Sequence, residues 1–372
     1  MIPLVLGHLS GEKKPVQLTA NKVSYDSSAC LNTRQMSSNK SPMLTSAQTG
    51  TKFGTHKKQK KRSPLPMRHG VSASRVWLPK VGDSKNSSEK YAEWETILDF
   101  LLERFPFISD DIFKQRMSRG QVVSQTGEAI SPVTPYQAEI HVFYYREIPY
   151  EPKIPFRETI LFKDDHIIVV DKPHFIPVTP TGRFVRECLL SRLKHQYQNE
   201  DISPIHRLDR ETAGVILYSC DVKARGAYQS LFEKRLVKKT YEAIAPIVAR
   251  NFPYTHRSHI MSSGNPFFIM REQKDAQVNA ETRMNIIETK GDLARYELEP
   301  VTGRQHQLRV HMMSIGCPII NDPFYPELLP NKGEDYSNPL QLLAKSIQFI
   351  DPFTAEQRVF KSERLLQGMS GN

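Results

Sequence analysis

The patterning of this chain predicts an α+β protein: a mainly antiparallel mixed sheet with flanking helices, preceded by a small N-terminal α/β module. Three observations carry that expectation. Short apolar, β-branched runs such as IIVVD (167–171) and GVILYS (214–219) read as buried strands. KTYEAIAPI (239–247) and LARYELEPV (293–301) add further strands, the second alternating cleanly in polarity. Neither a repeating strand–helix–strand pattern nor a glycine-rich phosphate loop occurs, which sets aside a doubly wound parallel sheet.

Taken in order, residues 1–66 are rich in Ser, Thr, Lys and Gln and show neither helical nor strand periodicity, so a disordered basic tail is expected. Its run KKQKKR (57–62) reads first as solvated charge. Residues 67–146 are expected to form the small module. Within it, YAEWETILDFLLERFPFI (91–108) places Trp94, Ile97, Leu98, Leu101 and Leu102 on one helical face. SDDIFKQRMSRG (109–120) opens at Ser109 as an N-cap and closes at Gly120, and its Lys114, Arg116 and Arg119 form a basic stripe suited to RNA phosphates. QVVSQTGEAI reads as a hairpin turning at Gly127, and the proline-dense stretch 147–156 as a linker. One larger unit follows over 157–365. Its helices are expected at VKARGAYQSLFEKRLV (222–237) and at RQHQLRVHMMSIG (304–316), which stops at Gly316.

Net charge is +11 over 372 residues, but its distribution matters more than its size. Residues 1–66 hold eleven Lys/Arg against two Asp/Glu, a net of +9; the other 306 hold 40 basic and 38 acidic groups, a net of +2. Affinity of the folded part for a polyanion must therefore come from a local basic surface. Four cysteines without CxxC pairing or metal-ligand spacing read as reduced thiols of a cytoplasmic protein. No run approaches the roughly 20 apolar residues of a membrane helix, and the N-terminus lacks the basic and apolar regions of a secretory signal.

The densest chemistry lies in PIHRLDRETAG (204–214). Arg207 and Arg210 flank Asp209 and favour its ionised form. On physical grounds alone that cluster also describes a structural salt-bridge corner. As a string, HRLDRET followed by Gly and an apolar strand resembles the catalytic motif of the RluA-type pseudouridine synthases. The resemblance continues in order through VVDKPHFIPVTP (169–180), KKTYEA (238–243), VTGRQHQLRVHMMSIGCPIINDPFY (301–325) and LLAKSIQFIDPFTAEQRVF (342–360). It covers about 157–362. Residues 91–135 more loosely resemble the small S4-type RNA-binding module often attached to these enzymes.

That resemblance implies an RNA pseudouridine synthase, an isomerase acting on uridine in structured tRNA or rRNA, expected to work as a monomer without membrane attachment. Uracil leaves its ribose at N1, rotates and rejoins through carbon 5, which then loses its proton. No redox or phosphoryl step occurs, so no cofactor and no metal are expected. Asp209 matches the family's essential carboxylate, acting as nucleophile at sugar or base or as proton acceptor. Tyr241 matches the base near carbon 5, and Arg309 the cation that holds Asp209 ionised. Arg207 is placed to fill the gap left by a flipped-out uridine; Arg210, Arg304 and His306 complete the expected RNA contacts. His306 and His311, five apart, do not share a helix face as a zinc-helix pair would.

Three departures from the family pattern stand out: Ala213 where Ser is common, Asn321-Asp322 for Gly-Asp, and Leu343-Ala344-Lys345 where a His often precedes Ala. Two rival functions compete with this one. A glycosidase usually needs two carboxylates, whereas one Asp dominates a basic neighbourhood here. A non-catalytic RNA-binding protein of the same fold would be marked by loss of Asp209, Tyr241 or Arg309, and all three are present.

Overall fold

The computed structural model describes residues 63–80, 94–146, 150–266, 268–330 and 333–369. The tail expected over 1–66 lies outside them except for its last four residues. There Leu65 is buried against Val123, Phe143 and Tyr145, and the Pro66 carbonyl accepts from the Tyr145 hydroxyl at 2.6 Å. These residues belong to the fold because an apolar side chain and a buried phenol hold them.

The first elements are β1 (Ser74–Trp77), α1 (Ile97–Arg104), α2 (Asp110–Ser118), β2 (Val122–Ser124) and β3 (His141–Tyr144). The strands form a separate antiparallel sheet in the order β1-β3-β2, and the two helices close its core through Ile97, Leu101, Phe113 and Met117. Helix α1 starts later than the apolar pattern predicts. Thr96 and Asp99 cap each other's backbone N–H groups, at 3.2 and 2.9 Å, which fixes the first turn after Thr96. Trp94 therefore precedes the helix and packs its ring on Phe100 and Tyr136 instead. Ser109 is the N-cap of α2, though its side chain makes no capping bond, and the chain leaves through Gly120 at φ +63°. Gly127, at φ +92°, turns the hairpin that returns Ile130 N–H to the Val122 carbonyl.

The remainder comprises β4 (Thr159–Lys163), β5 (Ile167–Lys172), α3 (Leu189–Tyr197), β6 (Ser203–Pro204), β7 (Ala213–Ser219), α4 (Val222–Glu233), β8 (Lys238–Pro246), β9 (Tyr254–Ser262), β10 (Met270–Gln273), β11 (Ala280–Lys290), β12 (Leu293–Pro300), α5 (Gln307–Ser314), β13 (Leu342–Ile350) and β14 (Gln357–Lys361). Together the strands build one sheet ordered β10-β9-β11-β12-β8-β13-β7-β5-β4, with β14 also on β13 and β6 also on β7. Among the described residues β13 and β7 pair in parallel and the other pairs are antiparallel. This is the expected α+β architecture. Helix α3 and the β9–β11 segment are additions that the sequence patterning does not announce. No helix among the described residues is long and apolar enough to cross a membrane.

Two of this unit's apolar clusters flank β8. One gathers Ile168, Val170, Ile216 and Tyr218 with α3; the other gathers Ala243, Tyr296, Leu298 and Met312 with α5. Tyr241 packs against both, so β8 and β13 mark the seam between them. The N-terminal segment reaches α3 and the loop after it: Lys194 Nζ donates to Ser72 Oγ at 3.0 Å, and Met67 N–H to Glu200 Oε1 at 3.0 Å.

Candidate active site

Asp209 sits on the loop between β6 and β7, and three neighbours shape that loop. Thr212 N–H closes a turn onto the Asp209 carbonyl at 3.2 Å. The wholly buried Lys172, at the end of β5, donates from Nζ to the carbonyls of Pro173, Ile176 and Arg210 at 3.0, 3.0 and 3.1 Å. Burial pushes its ammonium down to about 7, yet three acceptors match the three N–H groups of the charged form. At the far end of the loop, Gly214 has φ +109°, and a Cβ there would lie 2.2 Å from the Ala344 carbonyl oxygen. Only glycine lets β7 approach β13 this closely.

Opposite the loop, the entry to α5 supplies a cation, Arg309, and an imidazole, His306, whose pKa burial lowers. Arg309, 1% exposed, donates from Nη1 to Asp209 Oδ2 at 3.0 Å. Its other nitrogens grip Asp322 in a fork, Nε to Oδ2 at 2.8 Å and Nη2 to Oδ1 at 2.6 Å. Asp322 Oδ1 is fixed in turn by the N–H groups of Phe324 and Tyr325. His306 starts the helix in a left-handed conformation, φ 54°, and its Nε2 lies 3.9 Å from Asp209 Oδ2. Met270 N–H already donates to the Tyr325 hydroxyl, so that hydroxyl is free to donate to His306 Nδ1 at 2.8 Å. The N–H of His306 then belongs on Nε2, facing Asp209.

Burial alone would raise the Asp209 carboxyl. The charges of His306 and Arg309 and the Arg309 hydrogen bond outweigh it, so the group is held below its ordinary value of 3.8. Asp209 nevertheless keeps 28% of its side chain open. Tyr241, on β8 and paired with Leu298 of β12, has its hydroxyl raised well above the ordinary tyrosine value, by burial first and the Asp209 charge second. The phenol is therefore protonated at neutral pH.

Proteins already known are similar to this chain in sequence. Residues 166–314 match the family model described as RNA pseudouridylate synthase. The ribosomal large subunit pseudouridine synthase C of Rickettsia typhi is 32% identical over 61% of this chain and 73% of that protein. The dual-specificity RNA pseudouridine synthase RluA of Salmonella typhi is 31% identical over 57% of this chain and 94% of that protein. The chain belongs to the RluA-type pseudouridine synthase family. It is an isomerase of RNA uridine, as the sequence implies.

In this synthase one departure from the family pattern has a local explanation. Asn321 takes φ +61°, a left-handed conformation that Asn tolerates better than most residues, so the usual Gly is not required before Asp322. Ala213 is fully buried at the start of β7. Two further residues of the site are not singled out by sequence reasoning. Asp322, which reads only as part of a turn, is the second carboxylate on Arg309. Gln307, 4% exposed, receives Thr302 Oγ1–H and Arg304 N–H on Oε1 and donates to Glu281 O and Thr282 Oγ1, which fastens the turn before α5 to β11. Both lie inside quoted motifs, so their spacing was the available signal.

The expected RNA contacts separate into two groups. Arg207 and Arg304 are exposed, with Arg304 Nε held by the Asn279 carbonyl at 3.0 Å. Arg210 is turned inward, its Nε on the Phe175 carbonyl at 3.0 Å and its guanidinium over the Phe184 ring. On α2 the three basic residues do not form one stripe. Residues two apart on an α-helix point about 200° away from each other. Arg116 accordingly points inward, 7% exposed beside Phe113, while Lys114 faces out in an ion pair with Asp110 at 2.6 Å. Arg119 is exposed.

Proposed function

We propose that Asp209 is the essential catalytic carboxylate of this synthase and that its target is a uridine in structured tRNA or rRNA. One observation supports this most: an almost fully buried arginine holds a carboxylate that is itself open to solvent on its other side. Burying a guanidinium costs several kcal/mol unless it is fully paired. Arg309 meets that requirement with two carboxylates, which keeps Asp209 charged and fixed where a flipped nucleotide reaches it.

The chemistry is a net isomerisation. The N1–C1′ bond breaks, the ring turns, the C5–C1′ bond forms, carbon 5 gives up a proton and N1 gains one. Asp209 acts while the glycosidic bond is broken. Tyr241 serves the later step; because its phenol is protonated, it takes the carbon-5 proton as a relay while giving its own to solvent water, from which N1 draws the one it gains. Arg207, exposed two residues from Asp209, fills the place of the extruded base. Arg304 contacts RNA beside α5, the buried His306 faces only the nucleotide that reaches Asp209, and Lys114 and Arg119 contact RNA on α2 and at its end, in the region resembling an S4-type module. The enzyme acts as a monomer in the cytoplasm, and the reaction asks for neither redox nor phosphoryl chemistry, so no cofactor takes part.

Pseudouridine mapping in RNA from cells lacking this protein tests the reading. Loss of modification at one or a few tRNA or rRNA uridines, restored by the wild-type protein and not by Asp209→Asn, is expected. Restoration by the Asn variant would end the assignment of Asp209.

A further inference from the structure

Behind α5, on the side away from Asp209, three ligand-type groups from three elements converge. They are His256 of β9, Glu272 of β10 and His311 of α5, and their ligating atoms all lie within 4.8 Å of one another. His256 Nε2 is 2.7 Å from Glu272 Oε1, and His311 Nε2 is 3.9 Å from the same oxygen. Ligands about 2.0–2.2 Å from one tetrahedral ion are roughly 3.3–3.6 Å apart. Those two separations bracket that range and the third, between the two imidazoles, is no more than 4.8 Å, so side-chain shifts of about an ångström bring all three onto one ion.

We infer that these residues form a binding site for a divalent transition ion of the zinc class, separate from the catalytic centre. The surroundings are those a ligating histidine requires, since the ring nitrogen opposite the metal is normally held by a hydrogen-bonding partner. His311 Nδ1 lies 2.8 Å from Thr282 Oγ1, and His256 Nδ1 lies 3.4 Å from the Tyr254 hydroxyl. Both contacts direct the Nε2 atoms toward Glu272. Ser258 Oγ, 3.0 Å from His311 Nε2, stands where the fourth ligand or a ligand water belongs. His311 is wholly buried, whereas His256 and Glu272 keep 15% and 24% of their side chains exposed, so the site has a floor and a mouth.

Two imidazole nitrogens and one carboxylate oxygen suit zinc rather than magnesium or calcium, which prefer all-oxygen sets. The ion displaces the proton shared between His256 and Glu272, so its uptake releases protons. It joins the β9–β10 hairpin to the helix that carries Arg309. Its role is to clamp that helix, and uridine isomerisation does not pass through it. Spacing within α5 gives no hint of this site, because His256 and Glu272 come from the β9–β10 segment.

The test uses the full chain, purified, stripped with EDTA and titrated with Zn2+ and, for its visible spectrum, Co2+. One equivalent of Zn2+ is expected to bind with release of protons and a rise in Tm, and Co2+ should give the intense absorption of a tetrahedral site. His256→Gln and Glu272→Gln, both partly exposed, should each weaken binding at least about 100-fold. Thr282→Val, which removes an orienting partner, should weaken it roughly 10-fold. Stripped wild-type protein should still form pseudouridine. Zn2+ binding that is absent, or unchanged in both Gln variants, overturns the proposal; so does activity that disappears on stripping and returns only with the ion.

Discussion

Arg309 Nη1 stands 3.0 Å from Asp209 Oδ2, and the same guanidinium is forked onto Asp322. Asp209 is thus the outer member of a three-charge row whose inner member, Asp322, has no exposed side-chain surface. Asp209→Asn keeps the shape and removes the charge. Turnover should fall by roughly 10⁴-fold or more, the scale of losing a nucleophile, with RNA binding and the folded spectrum retained. Tritium release from 5-tritiated uridine in RNA measures it, and turnover near wild type would defeat the mechanism.

The pH response of the same residue has a definite sign. Its folded-state pKa lies below the ordinary 3.8, so its contribution to stability is complete above that value and is lost as pH falls through the folded value. The difference in unfolding free energy between wild type and Asp209→Asn should not shrink from pH 7 to 5, where protonation of the neighbouring His306 favours the wild type, and should shrink below about pH 4. Urea titrations across that range report it. A difference that already shrinks between pH 7 and 5 would mean that Asp209 is not held ionised.

Removing the middle of the row should be costly to the fold. Arg309→Met leaves Asp322 buried without its partner, a loss of about 3–5 kcal/mol. Adding Asp322→Asn should restore part of it. Urea midpoints of the single and double variants decide the matter, and an Arg309→Met protein as stable as wild type would show that the row contributes little.

Tyr241→Phe retains the ring that packs against both apolar clusters while deleting the hydroxyl. RNA should still bind, and release of the carbon-5 proton should fail. Full activity in the Phe variant would leave Tyr241 as a packing residue only.

The close approach of β7 to β13 makes a second structural test. Gly214→Ala meets the Ala344 carbonyl at 2.2 Å and forces a side chain onto φ +109°. Overpacking and backbone strain each cost about 1–3 kcal/mol. The urea midpoint should drop accordingly, and activity should fall with it because Asp209 lies on the adjoining loop.

Residues 1–62 carry all eleven basic side chains of the N-terminal region. Deleting them should flatten the dependence of RNA affinity on salt. The log–log slope should fall by about 0.7–0.9 for each phosphate the segment had neutralised. Site choice and turnover should not change. A salt series on one RNA with both proteins gives the slope, and modification of a different uridine would show that the segment selects substrate.

How much of this is legible in the sequence differs from residue to residue. Asp209 and Arg309 stand out because their motifs are ordered strings, and the structure brings the two into contact. Tyr241 falls on a strand as expected, but the elevation of its hydroxyl depends on burial between two clusters that periodicity does not report. Helix α5 is expected from 304 and begins at Gln307, because His306 adopts a left-handed turn that aims its ring at Asp209. Trp94 fits an apolar helical face, yet the Thr96–Asp99 cap decides where α1 starts. Arg116 reads as surface because charge usually is; its angular position on α2 is the clue that points the other way. Strands β9 and β10 escape notice because their exposed and half-buried positions do not alternate into an apolar face.

Asp209 and Arg309 are 100 residues apart in sequence, and strands β8, β11 and β12 all lie between them. Loop closure over that distance is slow and gains nothing until the intervening strands have paired. No fragment that stops short of α5 contains both halves of the charge row. A chain still emerging from the ribosome, or one stalled partway through refolding, therefore carries the carboxylate without the cation that commits it. On the role proposed for Asp209, competence arrives only after α5 has docked, and recovered turnover reads out that late long-range step.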